Sequence, residues 1–436
     1  MSLVLGLLWA WDLYEKVLVS YFSKKYKPVP LPEVPTYSPS DVSIVVPTID
    51  TGSCFTECMR LWLRSNPCEI IIVTVPKCKA RVEQLVAPVL TGTITILTVP
   101  LANKRQQLMA GAKAASGRII ALVDDDAYWR TTTVMPYLLA PFENPEIGLV
   151  AGLQSPEIPS ERQDANVITV WEAAATLDMY RMNHDQPVRF AADEGCWVLV
   201  GRTVFVRAGI IQDQHFVDAF THQVVNNKIV NGADDVYLTG WVLDHDWKIC
   251  VQNAPEAEIT TEIKRDWKFA LQNLRWERGN FRSFSTRLFV SPGFWVSRQK
   301  HPYLTRKLLE KLTRPLWASV YVAAWLRTLL TTPWLAAAFM LWMVFGWGGW
   351  VSGYAAFVRR YPYMASKVWA LFLMESMGPI IDVYAFFTMH DDSWLTRRAD
   401  DQYVMDAAKK VLQGDVSELG WTATQRVGIE SWQSKP

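Results

Sequence analysis

The sequence predicts an α/β domain with a mainly parallel sheet, followed by a helical region that lies in a membrane. Between residues 42 and 152, short β-branched apolar runs alternate with stretches whose apolar residues recur at helical spacing. Strand and helix in alternation indicate a parallel sheet that helices cover on both faces. Residues 314–358 contain no acidic side chain, and this run exceeds the roughly 20 residues that one helix needs to cross a bilayer.

Five short apolar runs are the strand candidates. They lie at 42–46, 69–75, 93–99, 118–123 and 147–152. Each is rich in β-branched residues, which is typical of buried strands. Ligands of parallel sheets bind beyond the carboxyl ends of the strands. We therefore expect the chemistry of this protein at the residues that follow these runs.

Apolar segments flank the α/β domain on both sides. Residues 3–22 predict a helix that is either a membrane anchor or an interfacial helix, because three charged residues at its centre are costly in hydrocarbon. Residues 314–358 are long enough for a hairpin of two crossings that turns near Thr331. Basic clusters on both sides of this hairpin predict that the α/β domain faces the cytoplasm.

Composition excludes several classes of function. The 44 basic and 43 acidic residues nearly cancel, so charge indicates no nucleic acid partner. No glycine-rich motif of the dinucleotide or P-loop type occurs, which argues against those cofactors. The six cysteines lack the close pairs of common zinc sites. We predict that they are buried thiols rather than metal ligands or disulfides.

The fourth strand candidate ends in an acidic turn, "ALVDDDAYW", which contains Asp124, Asp125 and Asp126. Three consecutive carboxylates repel one another unless they are solvated or hold a cation. Ligands that are oxygen only suit Mg²⁺ or Mn²⁺ carried on a diphosphate. The position at a strand end favours a metal site over an ordinary acidic turn.

A second acidic pair, Asp234 and Asp235, precedes the helix candidate in "NGADDVYLTGWVL". One of the two carboxylates can cap that helix. The other is a candidate general base, because a neighbouring like charge and partial burial raise a carboxyl pKa toward the working range. The residues alone leave capping and proton transfer open.

The stretch "WKFALQNLRWERGNFRS" predicts an amphipathic helix with an unusual polar face. Gln272 and Trp276 are four residues apart and share a face, with Arg275 beside them. An indole can carry the apolar face of a sugar, and a guanidinium can fork onto diphosphate oxygens. The surrounding Lys and Arg residues also suit a helix on an anionic membrane surface, where Trp276 is only an interfacial anchor.

Taken in order, these motifs resemble the processive family 2 glycosyltransferases, which include hyaluronan, chitin and cellulose synthases. The motifs are "VVPTID", "NKRQQLMAGAKAASGRIIALVDDDAYW", "GADDVYLTGWVLDHDWKI", "QNLRWERGNF" and "SWLTR". They cover most of residues 42–398, and the chain is most similar in character to the fungal type 2 glycosyltransferases. The resemblance implies a Rossmann-like GT-A domain, interfacial helices and a C-terminal transmembrane region.

The activity that the resemblance implies is inverting transfer from a UDP-sugar, which extends a β-linked polysaccharide and passes it through the membrane. A plasma membrane location, contact with lipid and a homo-oligomer that completes the channel are further expectations. Transfer of a single sugar to a polyprenyl phosphate is the alternative. A non-catalytic scaffold with a degenerate transferase domain is a third hypothesis.

The resemblance also implies a role for each matching residue. The catalytic residues are Asp235, the general base, and its neighbour Asp234. The metal ligands are Asp126 and Asp124, with Mn²⁺ or Mg²⁺ as the cofactor. The donor-binding residues are Pro47, Thr48, Asp50, Lys104, Arg105, Asp124, Asp125, Arg275, Trp394 and Arg397. The acceptor-binding residues are Gln272, Trp276, Cys196 and Trp197.

Two departures from the family pattern concern recognition. No acidic residue follows the second strand, where the family reads the uracil ring, so Asp50 is the candidate replacement. The stretch "DEGCWVLVGRT" matches the acceptor loop poorly, although it supplies Cys196 and Trp197. The amphipathic stretch 168–182 predicts a packing helix without chemistry.

The predicted organisation has six segments. They are an N-terminal membrane anchor or interfacial helix at 1–27, a Pro-rich linker at 28–40, the GT-A domain at 41–264, amphipathic interface helices at 265–312, a transmembrane or re-entrant region at 313–390, and a gating loop with a cytoplasmic tail at 391–436.

Overall fold

A seven-stranded sheet forms the centre of the α/β domain in the computed structural model, which describes residues 2–225 and 228–391. The strands are β1 Val42–Pro47, β2 Glu69–Thr74, β3 Ile94–Thr98, β4 Ile119–Val123, β5 Ala127–Tyr128, β6 Ile147–Gly152, β7 Gln154–Pro156, β8 Thr203–Arg207, β9 Val224–Val225, β10 Lys228–Ile229, β11 Lys248–Gln252 and β12 Ile259–Thr261. The main sheet has the order β11-β6-β8-β4-β1-β2-β3. All five strand candidates are therefore confirmed as members of this sheet.

The sheet is parallel except at β8, which no strand candidate included. β8 runs antiparallel to both of its neighbours, β4 and β6. The start of β8 consequently lies beside the carboxyl end of β4, and Asp124 N–H donates to the Arg202 carbonyl at 2.9 Å. A smaller sheet of order β5-β12-β7 adjoins the same region. These two features bring distant chain segments to the acidic turn.

Sixteen helices with α geometry surround the sheets within the described residues. They are α1 Ser2–Lys25, α2 Cys54–Leu63, α3 Pro76–Val86, α4 Lys104–Ala114, α5 Val134–Leu139, α6 Val170–Asp193, α7 Ala208–Ile211, α8 Gln214–Thr221, α9 Asp234–Asp244, α10 Lys268–Phe289, α11 Phe294–Lys300, α12 Pro302–Thr331, α13 Pro333–Phe345, α14 Trp350–Arg360, α15 Val368–Ser376 and α16 Gly378–Phe387.

Both faces of the main sheet are covered, as the uninterrupted apolar strands predict. Val45 of β1 packs in the cluster that contains residues of α4, α8 and α9. Its neighbours Ile44 and Val46 pack on the opposite side with α2 and α5. Every residue of β1 is buried. This two-sided core fixes the carboxyl ends of β1 and β4 next to each other.

Helix α1 packs on the C-terminal helices, and its charged residues find partners there. Leu5 and Leu8 are buried against Ala324 of α12 and Phe339 of α13. Asp12 accepts a hydrogen bond from Trp342 Nε1 at 2.9 Å. Such pairing lowers the cost of the charges that α1 carries. Whether α1 is an anchor or an interfacial helix stays a prediction.

The helix in the region 313–390 is interrupted where the hairpin was predicted to turn. Helix α12 ends at Thr331 and α13 begins at Pro333. Within the described residues, one helical span is long and apolar enough to cross a membrane, Pro333–Arg360, which comprises α13 and α14. Two further helical segments are long and apolar enough only when they are counted as one bent span. They are Pro362–Ser376 and Gly378–Phe387. The hairpin of two crossings over 314–358 stays a prediction.

Candidate active site

The acidic turn after β4 is held by side chains from three separate elements. Thr48, directly after β1, donates its hydroxyl to Asp125 Oδ2 at 2.5 Å. Thr261 at the end of β12 donates to Asp126 Oδ1 at 3.1 Å. Lys104 at the start of α4 forms an ion pair with Asp124 at 2.9 Å. Each carboxylate of the turn therefore has its own partner.

The second acidic pair starts α9, and the same lysine reaches it. Lys104 Nζ lies 3.0 Å from Asp234 Oδ2. Asp235 accepts backbone hydrogen bonds from Gly201 N–H at 3.1 Å and from Val236 N–H at 2.8 Å. A Cβ atom at Gly201 would lie 3.2 Å from Asp235 Cβ, so glycine permits this close approach.

The charges of this region shift several pKa values. Burial, together with the carboxylates of Asp125 and Asp124, raises the pKa of Asp126 to about 7. Burial and the negative charge of Asp234 raise the pKa of Asp235. Burial opposes ionisation of Asp234 as well, but the ammonium of Lys104 outweighs it and lowers the pKa of Asp234. The pair thus contains one carboxylate kept ionised and one that binds a proton more readily.

Helix α10 brings the predicted polar face to the same place. Gln272, Arg275 and Trp276 all line the cavity that opens above the acidic residues. The guanidinium of Arg202 lies 5.8 Å from the centroid of the Trp276 ring. A Cβ atom at Gly279 would lie 2.9 Å from Ala233 Cβ, so α10 passes directly against the residue before Asp234.

The cavity has a volume of about 1350 Å³. That volume exceeds the range of about 300–1,000 Å³ typical of pockets for one small ligand. Asp126, Asp235 and Trp276 line it together. Carboxylates from two loops and an indole from a third element therefore converge on one hollow that has room for two substrates.

Comparison with known proteins decides the family. The model described as "Glycosyltransferase like family 2" matches residues 39–279, more than half of the chain. The chain belongs to the family 2 glycosyltransferases. It is 55% identical over 409 residues to the NDP-glycosyltransferase ltbB of Aspergillus luteorubrus, a match that covers 93% of this chain and 100% of that relative.

More distant relatives agree with this placement. The chain is 35% identical over 302 residues to a type 2 glycosyltransferase of Zymoseptoria tritici, which covers 68% of this chain and 63% of the relative. The solved structure of the mannosyltransferase PcManGT from Pyrobaculum calidifontis, in complex with GDP-Man and Mn²⁺, superposes with a TM-score of 0.59 at 15% identity. That match covers 91% of this chain and 99% of the other, and it shows a shared fold of the GT-A type.

Most of the family's site residues that the sequence predicted lie on the cavity wall. Those that line it are Pro47, Thr48, Lys104, Asp124, Asp125, Asp126, Trp197, Asp234, Asp235, Gln272, Arg275 and Trp276. The Trp197 ring also stacks on Phe284 of α10 and lies 3.4 Å from the Arg189 guanidinium. Trp394 and Arg397 lie outside the described residues.

Three predicted site residues do not lie on the cavity wall. Arg105 is only 1% exposed and donates to the carbonyls of Gly232, Ala233 and Phe220. Its guanidinium therefore positions the loop before α9 instead of contacting a nucleotide. Cys196 is buried, with its thiol directed to the Val198 carbonyl. Asp50 is exposed outside the cavity, so it is not placed to read a base.

Sequence reasoning assigned no role to several residues that line the cavity. Arg202 precedes the unpredicted strand β8, and Asp178 lies on α6, which was predicted to pack only. Glu277 follows Trp276 directly but was not singled out. The one sequence signal that could have indicated Glu277 was its position directly after Trp276.

The acidic turn fits a hard divalent cation. Its side-chain ligands are all oxygens, and the raised pKa of Asp126 reflects burial together with repulsion by Asp125 and Asp124, which a cation would relieve. Among residues 2–225 and 228–391, no cluster of three or more His, Cys, Asp or Glu side chains could enclose a metal ion. Such a site resembles magnesium sites in which one or two carboxylates act together with substrate phosphates.

Proposed function

We propose that this chain transfers a sugar, with inversion, from a UDP-activated donor to a hydroxyl group of an acceptor saccharide. The convergence of Asp126, Asp235 and Trp276 on one cavity is the observation that supports this proposal. The acidic turn and Lys104 surround the donor diphosphate in this arrangement. Trp276 and Gln272 support the acceptor sugar on the opposite wall.

Asp124 and Asp126 would hold Mn²⁺ or Mg²⁺, which when bound neutralises charge on the diphosphate. Asp235 takes the proton from the acceptor hydroxyl as its oxygen bonds to the anomeric carbon. The bond from that carbon to the diphosphate oxygen breaks, and UDP leaves with the electron pair. Inversion by this single displacement involves no covalent bond between the sugar and Asp235, whose carboxylate is oriented by the Gly201 and Val236 amides.

Substitution of the base and of the stacking indole tests this assignment. Asp235→Asn should lower UDP release about 1,000-fold, since proton transfer by a positioned base contributes on the order of 10²–10⁴-fold. Trp276→Ala should raise the KM for the acceptor more than that for the donor. The measurement is UDP release from UDP-GlcNAc, UDP-Glc and UDP-GlcA by purified membranes with Mn²⁺. Full activity in both variants would show that the assignment is wrong.

We propose further that the enzyme extends a β-linked polysaccharide and translocates it, with the catalytic domain on the cytoplasmic face of the plasma membrane. The cavity wall extends from the acidic residues to Lys311 and Arg314 of α12, which supports a product path toward the C-terminal helices. Transfer of one sugar to a polyprenyl phosphate is the competing activity. Separation of labelled products by length on a gel distinguishes a polymer from a single transfer.

A further inference from the structure

Helix α6 contributes side chains to the wall of the cavity. Asp178 and Met182 are four residues apart, and both line the cavity. Residues at that spacing share one face of a helix. This face of α6 therefore meets the substrate volume rather than the protein core.

Asp178 faces the cavity without a partner. The structure gives its carboxylate no hydrogen bond or ion pair to any residue within 2–225 or 228–391. Burial by the surrounding protein raises the pKa of Asp178, and the charge of Arg202 partly offsets that effect. Asp178 is exposed to the cavity, so its carboxylate can accept hydrogen bonds from water or from a bound ligand.

Glu277 of α10 supplies a second carboxylate to the cavity wall. Its Oε1 accepts from Lys311 Nζ at 2.8 Å. Its Oε2 is buried without a hydrogen-bond partner among the described residues. The negative charge of Glu277 contributes to the raised pKa of Asp178, so the two carboxylates act on the same part of the cavity.

Three of the cations around these carboxylates form ion pairs, whereas Arg202 donates to the Gln154 side-chain oxygen at 2.7 Å. Lys311 pairs with Glu277 and also lies 3.1 Å from Asp382. Arg314 pairs with Asp382 as well, and Arg181 pairs with Glu375. The carboxylates of Asp178 and Glu277 would repel an incoming anion, and among the described residues Arg202 is the cation beside them that has no acidic partner.

From this arrangement we infer that Asp178 and Glu277 form a subsite that binds hydroxyl groups of a neutral saccharide acceptor beside Trp276. Carboxylates only accept hydrogen bonds, and hydroxyl groups can donate to them. Arg202 connects this subsite to the indole, because its charge acts on Asp178 and its guanidinium lies over the Trp276 ring. The inference rests on the proposed function, and it favours a saccharide over a lipid phosphate as the acceptor.

Transfer to two acceptor probes tests this subsite. The full chain in membranes receives Mn²⁺ and the UDP-sugar that supports the fastest UDP release, with either cellobiose or farnesyl phosphate as acceptor. We expect labelled sugar on cellobiose. Asp178→Asn and Glu277→Gln should each raise the KM for cellobiose about tenfold, the scale of one lost hydrogen bond to a charged group. The KM for the donor should change less than about twofold.

Asp185→Asn is the matched control on the same helix, because the Asp185 carboxylate already pairs with Arg189 at 3.2 Å. It should change the KM for cellobiose less than about twofold. Preferential transfer to farnesyl phosphate overturns the inference, and so does an unchanged KM for cellobiose in both variants. UDP release without transfer to either probe also overturns it. Absence of UDP release from the unsubstituted protein instead contradicts the proposed function itself.

Discussion

The acidic turn after β4 and the acidic start of α9 both place adjacent aspartates around Lys104. In the turn, Asp124 pairs with Lys104 at 2.9 Å, while the pKa of Asp126 rises to about 7 through burial and neighbouring carboxylates. In the helix start, Asp234 pairs with Lys104 at 3.0 Å, and the pKa of Asp235 rises. In each region, the carboxylate that contacts the lysine differs from the one with the raised pKa.

The two carboxyl groups with a raised pKa differ in their other hydrogen-bond partners. Asp235 is fixed by the backbone amides of Gly201 and Val236, which hold it in one orientation. Asp126 has the hydroxyl of Thr261 and the negative charges of its own turn. Fixed orientation suits proton transfer, and concentrated negative charge suits a cation. The same residue type thus serves two kinds of chemistry because its neighbours differ.

The largest expected difference between the two regions is in metal-dependent nucleotide binding. Asp126→Asn should lower the affinity for UDP in the presence of Mn²⁺ on the order of 100-fold, since a carboxylate ligand contributes several kcal/mol of charge stabilisation. Asp235→Asn should change that affinity less than about twofold, because a general base acts on the acceptor hydroxyl. Calorimetric titration of UDP with and without Mn²⁺ measures both. Equal losses in the two variants would contradict the division of roles.

Removal of the shared cation should affect both regions at once. Lys104→Gln leaves Asp124 and Asp234 without their ion pair, and we expect the free energy of unfolding to fall by about 2 kcal/mol. This figure lies below that of a fully buried pair because the side chains are 15–29% exposed. Denaturant unfolding in detergent measures the change. Lys113→Gln, an exposed position on the same helix, is the control and should stay within about 0.5 kcal/mol.

The two regions also show how far the sequence predicts the structure. The strands β1 to β4 and β6 follow from local β-branched runs, and the acidic motifs follow from their positions at element ends. Strand β8 was missed because its place between β4 and β6 depends on contacts far along the chain. Local periodicity does not contain that information.

Arg105 shows a second limit of sequence reasoning. Next to Lys104 it matches a basic pair, and nothing local separates their roles. In the fold, carbonyl groups more than 100 residues away surround the Arg105 guanidinium, whereas Lys104 reaches the acids. Asp178 shows the converse, since a helix that looks suited only to packing faces a cavity formed by distant elements. Tertiary contacts determine the roles of these side chains, so no sequence motif could have predicted them.

A smaller effect should appear in the pH dependence of metal stabilisation. The folded protein holds the Asp126 proton up to about pH 7, whereas the unfolded chain releases it near 3.8, the ordinary pKa of an aspartate. The stability from this group is therefore present below pH 3.8 and is lost as the pH rises through about 7. A cation that replaces the proton stabilises most above that value.

We therefore expect Mn²⁺ to raise the melting temperature by a few degrees more at about pH 8 than at about pH 5.5. Thermal unfolding with and without Mn²⁺ measures the difference. Asp126→Asn should remove the pH dependence of the Mn²⁺ shift, while Asp235→Asn should retain it. A shift that is the same at both pH values in the unsubstituted protein would show that Asp126 is not the group that the metal displaces.

The smallest expected effect concerns the support of the acidic turn. Thr48→Val removes the hydroxyl that donates to Asp125, and the loss of about 1 kcal/mol should raise the donor KM about fivefold. Thr74→Val is the matched control, since Thr74 is buried on the neighbouring strand β2 and its hydroxyl has no hydrogen-bond partner among the described residues. It should leave the donor KM within about twofold. Both changes keep the shape of the side chain, and only the first removes a contact to a carboxylate. A similar rise of the donor KM in both variants would show that the Thr48 hydroxyl does not orient the turn. A rise confined to Thr48→Val would show that the turn, unlike the start of α9, depends on a side-chain donor rather than on backbone amides.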